Sequence, residues 1–165
     1  MGKITATQKG LITGAAMIAS SFIIYSAKGS FDNKLQYITY CLYVLGIIWA
    51  MIDFSKKAAA DAKFGAYFSE GFKCFIVVTL LMVLFTAVFL MMHPGMKEQM
   101  AVIYRADLVK QGNSTPKEID EKVGMAKKSF MPVLVMGAIF GYLVIGAMVT
   151  AVTGAVLMQK KKYAE

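Results

Sequence analysis

Four long stretches of this chain contain no Asp, Glu, Lys or Arg. They run over Gly10–Ala27, Leu35–Ile52, Cys74–Met96 and Ser129–Gln159, and together they take up 90 of the 165 residues. A bilayer core of roughly 30 Å needs about 20 apolar residues in a helix, and uncharged runs of this length are typical of transmembrane helices. The chain is therefore predicted to be an all-α membrane protein with four spans.

The predicted architecture is a four-transmembrane-helix bundle that forms a single integral membrane domain. We expect the spans at about residues 8–27, 35–54, 70–92 and 131–158. Lysines alternate with Phe64, Tyr67 and Phe68 before the third span, which predicts a short surface-lying helix and a span capped by Ser69. Pro132 predicts the start of the fourth span or a kink in it.

The segment between the third and fourth spans, at about residues 94–129, is predicted to be an amphipathic helical hairpin. Apolar residues recur there at helical spacing on both sides of Gly112-Asn113, which marks a turn. Thr115-Pro116-Lys117-Glu118 is a capping box with proline at the first helical position. This motif indicates where the second helix of the hairpin begins.

The composition argues against a soluble enzyme and against a nucleic-acid-binding protein. Hydrophobic residues make up 58% of the chain and charged residues only 17%, and the connections are too short to hold a separate catalytic domain. The net charge of +8 is explained by lysines that flank the spans and anchor them against anionic headgroups. We therefore expect the lipid bilayer as a partner, and no nucleic acid.

The sequence offers no constellation that would support catalysis or coupled transport. No run has a charged residue near its centre, as a proton-coupled transporter or a charge-lined channel would need. No nucleophile stands near a base, so we expect no catalytic residue, no enzyme activity and no cofactor. Asp53, Glu70 and Lys73 lie at span ends, where we expect ion pairs at the membrane rim.

A methionine-rich stretch surrounds the single histidine of the chain. Thioether and imidazole groups are suitable ligands for Cu(I), and Met92, His93, Met96 and Met100 are the weak candidates for such a site. Methionine is also an ordinary filler of helix faces. We expect packing here, and no metal.

Small residues recur at a spacing of four in the first and last spans. In lipid, small side chains mark the helix faces that pack closely. We expect this packing inside the monomer, where the two spans offer matching faces; packing between two copies in a homodimer is the alternative. The candidate residues are Gly10, Gly14, Gly137, Gly141, Gly146 and Gly154.

Several short motifs resemble a family of bacterial inner-membrane proteins, the domain of unknown function 4199. They are the start Lys9–Gly14, the segment Phe68-Ser69-Glu70-Gly71-Phe72-Lys73, the charged hairpin and the glycine-rich last span that ends in lysines. The likeness extends over essentially the whole chain. It implies both termini in the cytoplasm and an extracytoplasmic hairpin, whereas the charge count alone leaves nine basic residues on each side. Members look like neighbours of membrane glycosyltransferases that use polyprenyl-phosphate sugars, which implies a role beside such an enzyme.

Three functional hypotheses remain at this point. The first is a non-enzymatic scaffold or accessory subunit that binds a membrane-protein partner through helix packing and the hairpin. The second is a carrier of a small molecule or lipid, with Cu(I) handling as a weaker third. The carrier's pocket would be lined by Tyr37, Tyr40, Tyr43, Thr79, Thr86, Thr150 and Thr153.

Overall fold

The computed structural model describes residues 4–28, 33–59 and 62–162, and this part of the chain contains helices and no strands. The helices are α1 (Ala6–Lys28), α2 (Asn33–Lys57), α3 (Phe64–Met92), α4 (Gly95–Gln111) and α5 (Pro116–Lys162). All except α4 are long and apolar enough to cross a membrane. The predicted all-α fold with four spans is confirmed.

Local sequence signals explain where several helices begin and end. Thr115 and Glu118 exchange hydrogen bonds at the start of α5, at 2.7 and 3.4 Å, as the capping box predicts. Thr5 and Gln8 form the same reciprocal pair before α1, at 2.9 and 3.3 Å. Gly112 ends α4 with a φ of 67°, a left-handed conformation that glycine adopts without strain.

The expected surface-lying helix before the third span is wrong. Helix α3 already begins at Phe64, so the segment with alternating lysines and aromatic residues forms its first turns, and Ser69 lies inside it. Ring contacts at 6.0 and 6.4 Å link Phe64 to Phe68 and Phe68 to Phe72 along one side of this helix. Because these residues are four apart, the pattern that suggested an interfacial helix also suits the entrance of a span.

Pro132 does not start a helix, and its other predicted role, a kink in the fourth span, stays a prediction. Helix α5 is continuous for 47 residues and contains Pro132 in its interior, so the second arm of the hairpin and the fourth span are one helix. A proline inside a helix removes the bond to the carbonyl four residues earlier, here that of Lys128. Both residues are exposed, and that carbonyl is therefore accessible to other donors.

The described chain forms two compact units, one made of residues up to Met82 and from Ile139 onward, the other of Val83–Ala138. In the first unit α1 runs antiparallel to α2, because Thr13 faces Gly46 while Ser20 approaches Thr39. Helix α5 runs parallel to α2 and antiparallel to α3. The side chains buried between these helices are Met17, Tyr43, Ile47, Met51, Tyr67, Phe75 and Val78.

In the second unit α4 packs antiparallel against the first part of α5. The buried contact consists of small and aliphatic side chains, Ala101, Leu108, Ile119 and Val123. Two ion pairs cross between the helices on either side of it. Arg105 binds Asp120 at 2.7 Å, and Lys127 binds Glu98 two helical turns away.

Candidate functional site

A cluster of three charged residues joins the start of α1 to the end of α2. The Lys9 ammonium forms an ion pair with the Asp53 carboxylate, which also binds Lys57 at 2.6 Å. Lys9 is only 4% exposed, whereas Asp53 is 31% exposed. The Lys9 ammonium also lies 5.5 Å from the centre of the Trp49 ring, within the range of a cation–π contact.

The burial of Lys9 makes this ion pair more consequential than an exposed one. A buried charge without a partner is strongly unfavourable, because it has lost its hydration and gained nothing in return. Asp53 supplies the opposite charge and hydrogen-bond acceptor that Lys9 needs. The pair therefore fixes the register of α1 against α2, while Lys57 lies on its exposed side.

Lys9 is not among the candidate residues read from the sequence. The antiparallel pairing of α1 with α2 is the signal that could have found it. A lysine just before the first charge-free run then faces an aspartate just after the second run.

A lysine at the end of α5 binds the C-terminal carbonyl groups of α2, at the same end as the charged cluster. The Lys161 ammonium donates to the carbonyl oxygens of Ser55, at 3.1 Å, and of Ala58. Carbonyls at a helix C-terminus lack helical partners and carry partial negative charge, so a cation is favoured there. Four ionic groups, those of Lys9, Asp53, Lys57 and Lys161, thus gather around the end of α2.

The other two rim residues predicted from the sequence lie in the first part of α3. Glu70 and Lys73 form an ion pair with each other at 2.9 Å, one turn apart on the helix. The Lys73 side chain is 53% exposed. A pair of this kind contributes little to stability, because water and salt screen its charges and ordering two long side chains costs entropy.

The glycines mark places where helix backbones come unusually close. A β-carbon added at Gly10 would lie 2.6 Å from the carbonyl oxygen of Cys74, and one at Gly14 would lie 2.6 Å from Leu81. At Gly146 it would meet Tyr43, and Phe75 at 2.7 Å.

The remaining candidate glycines are less constrained. At Gly154 an added β-carbon would lie 3.3 Å from the side chains of Met51 and Phe64, which is close but not a collision. A β-carbon added at Gly137 or Gly141 would meet no atom of another helix or side chain within 4 Å. The six candidates therefore divide into three tight contacts, one close contact and two open positions.

The packing partners of these glycines differ from the expected match between the first and last spans. Gly10 and Gly14 lie against α3, whereas Gly146 faces residues of α2 and α3. Two further glycines, Gly46 against Thr13 and Gly71 against Thr150, are equally tight. Gly46 is the single glycine of its charge-free run and Gly71 precedes the third run, so neither has the spacing that marked the others.

The methionine and histidine residues that were candidates for a copper site differ in their contacts and in their exposure. The His93 ring stacks on Phe89 at 4.2 Å, and its Nδ1 lies 3.0 Å from the Phe89 carbonyl oxygen. Met92 is 72% exposed, while Met100 lines a groove between α4 and α5. Within the described residues, His, Cys, Asp and Glu form no group of three that could hold a metal.

The three tyrosines proposed for a carrier pocket have different environments. Tyr37 is exposed, whereas Tyr43 is fully buried and donates to the carbonyl oxygen of Tyr142 at 2.8 Å. The Tyr40 ring lies 5.9 Å from that of Tyr142. Tyr40 and Tyr43 thus contribute to the contact between α2 and α5.

A protein-family model described as "Protein of unknown function (DUF4199)" matches residues 8–159. The chain belongs to the DUF4199 family. The matched region of this DUF4199 protein includes Lys9, Asp53 and Lys57 together with the glycine contacts, while Lys161 follows its end. Neither the curated proteins nor the solved structures contain a match to the chain.

Proposed function

We propose that this DUF4199 protein is a non-enzymatic scaffold or accessory subunit of a membrane complex. The proposal rests on the closeness of its helices at Gly10, Gly46, Gly71 and Gly146, where a methyl group would collide with a neighbouring helix. Helices that interlock in this way resist relative motion. A bundle of this kind is suited to holding another membrane protein in place.

The same packing favours a scaffold over a carrier. A carrier needs an internal site that opens, whereas Tyr43 and Thr79 use their hydroxyl groups for bonds to backbone carbonyls at 2.8 Å. Thr150 is fully buried against Gly71. These side chains take part in helix contacts, which supports the scaffold.

We propose that the protein lies in the inner membrane of a bacterium, with both termini in the cytoplasm and the α4–α5 hairpin outside. Lys9, Lys57 and Lys161 gather at one end of α2. Each side has nine basic residues, but lysines this close to the ends of spans are typical of the cytoplasmic side. The resemblance described above implies the same orientation.

The proposed partner is another membrane protein, with a glycosyltransferase that uses polyprenyl-phosphate sugars as the specific candidate. A surface suited to it lies on α5, where Phe140 and Met148 are 72% and 56% exposed. Gly141, beside Phe140, has open space in front of it. A second copy of the chain is the alternative occupant of this surface.

Affinity purification from native membranes in a mild detergent tests the proposal. We expect a second membrane protein in a fixed ratio, identified by mass spectrometry, and a lower yield of it with Phe140→Ala. Val156→Ala is the matched control, because Val156 is 57% exposed on the same helix. A chain that always elutes alone, with nothing enriched over an untagged control, contradicts the scaffold. A homodimer would appear at twice the mass of one chain.

A further inference from the structure

The second unit contains an apolar groove between α4 and the first part of α5. Its volume is about 310 Å³, near the lower end of the range for small-molecule sites, which is about 300–1,000 Å³. Met100 and Tyr104 line it from α4, and Phe130, Val133 and Leu134 line it from α5. Apart from Phe130, these side chains are substantially exposed, so the groove is open along its length.

Two lysines, Lys97 from α4 and Lys127 from α5, also line the groove. Lys127 binds Glu98, so one acidic group faces the two basic ones and the local charge is positive. A ligand that fits this groove therefore combines an apolar chain with a negative charge.

The position of the groove in the sequence indicates where such a ligand comes from. Phe130, Val133 and Leu134 belong to the charge-free run that begins at Ser129, while Lys127 and Lys128 directly precede that run. Lysines at the end of a span lie at the level of the lipid headgroups, and the apolar residues that follow lie in hydrocarbon. The groove thus extends from the headgroup level into the acyl-chain region.

We propose that this groove binds one acyl chain of an anionic glycerophospholipid, whose phosphate contacts Lys97 and Lys127. The charge argues for this occupant over a second copy of the chain, because two facing grooves would bring four lysines together with only two glutamates to offset them. An acyl chain that lies between the helices gives the exposed side chains of the groove close packing contacts. This lipid site is separate from the scaffold surface proposed on α5 around Phe140.

Native mass spectrometry of the full chain, reconstituted with equal amounts of dioleoyl phosphatidylglycerol and dioleoyl phosphatidylcholine, tests the proposal. We expect retained phosphatidylglycerol on the wild type and about fivefold weaker retention with Lys97→Gln, since one lysine near an anionic headgroup has an effect of this order. Lys110→Gln is the matched control, because Lys110 is an exposed lysine on the same helix that does not line the groove. Equal retention of the two lipids, or equal losses with both variants, overturns the proposal.

A second measurement locates the acyl chain of the lipid, and it does not depend on a change in the headgroup contact. Phe130→Trp places a fluorophore in the groove, and Met136→Trp places one at an exposed position further along the same charge-free run, outside the groove; Trp49 is present in both. Phosphatidylglycerol brominated on its acyl chain is expected to quench Phe130→Trp more strongly than Met136→Trp, although bulk lipid alone would quench the deeper position at least as well. Equal quenching of the two variants overturns the proposal. A dimer in the mass spectra also overturns it if Ala126→Phe abolishes that dimer, because Ala126 lines the groove and a second copy would then fill it.

Discussion

The ammonium of Lys9 lies buried against the carboxylate of Asp53, so the first turn of α1 is tied to the last turns of α2. The two residues are 44 positions apart in the sequence. Because α1 and α2 are antiparallel, the start of α1 lies beside the end of α2, and this contact joins the two ends. Among the ion pairs of the described residues, this is the one whose lysine is buried, while its carboxylate is 31% exposed.

Replacement of Asp53 by Asn should destabilise the protein, because it leaves the Lys9 charge buried without an opposite charge. Lys57→Gln is the control, since it removes an exposed partner of the same carboxylate, and its effect should be several times smaller. Thermal unfolding in detergent, followed by circular dichroism, measures both.

A second substitution separates the charge from the shape of the site. In the Asp53→Asn background, Lys9→Met removes the unpaired ammonium and keeps a long side chain, so it should restore part of the lost melting temperature. A double variant that is less stable than Asp53→Asn alone would show that the pair does not act through charge burial.

Gly10→Ala should lower stability by about 1–3 kcal/mol, the usual effect of overpacking. The added methyl would lie 2.6 Å from the Cys74 carbonyl oxygen, and a backbone atom cannot move aside as a flexible side chain can. Gly141→Ala is the matched control because it has open space, and it should be neutral or gain up to about 1 kcal/mol from helix propensity. Unfolding in a denaturing detergent ranks the two variants; equal losses would show that the approach of α1 to α3 is not tight.

The capping box at the start of α5 should give a pH-dependent contribution to stability. Hydrogen bonds from the Thr115 backbone and side chain lower the pKa of Glu118 from its ordinary value of 4.5. A carboxyl whose pKa is lower in the folded state stabilises the fold above its unfolded pKa, and this contribution is lost as the pH falls through its folded pKa.

Comparison of the wild type with Glu118→Gln tests this at two pH values. The wild type should be the more stable at pH 7, and the difference should shrink as the pH falls below about 4.5. Glu121→Gln serves as the control, because it removes an exposed carboxylate from the same helix. A difference that stays constant with pH would count against the capping contribution.

A reporter inserted after Lys110, in the last turn of α4, tests the proposed orientation. Alkaline phosphatase should be active there, since it folds only outside the cytoplasm, and green fluorescent protein should be dark. The same reporters fused after Lys162 should give the opposite result. Fluorescence after Lys110 would place the hairpin in the cytoplasm and reverse the proposal.

The four helices could be predicted from charge-free runs because the hydrocarbon core excludes charged residues along the whole length of a span. The start of α3 could not, since Phe64, Phe68 and Phe72 suit either an interfacial helix or the first turns of a span. Pro132 lies inside α5 and does not start a helix, because a span tolerates proline where the freed carbonyl finds another partner. Local sequence carries no information about that partner.

Only part of the candidate site could be predicted from the sequence. Asp53 and Lys57 are four residues apart and could be paired from helical spacing alone. Their link to Lys9 depends on which helices pack together, and so does the contact of Gly46 with Thr13. The spacing of Gly137 and Gly141 is the same as that of Gly10 and Gly14, yet only the second pair meets another helix closely. Spacing marks a surface that permits close packing, while the fold decides whether a helix lies there.

The cap that Lys161 provides for α2 has a consequence for the order of events during synthesis. Lys161 follows Ala58 by 103 residues, which corresponds to about 5–20 s of translation at roughly 5–20 residues per second. For that interval α2 has been made, but its final carbonyls lack the cation that they bind in the finished structure. The end of α2 therefore reaches its final state only when the last turn of α5 arrives, 103 residues later in the chain.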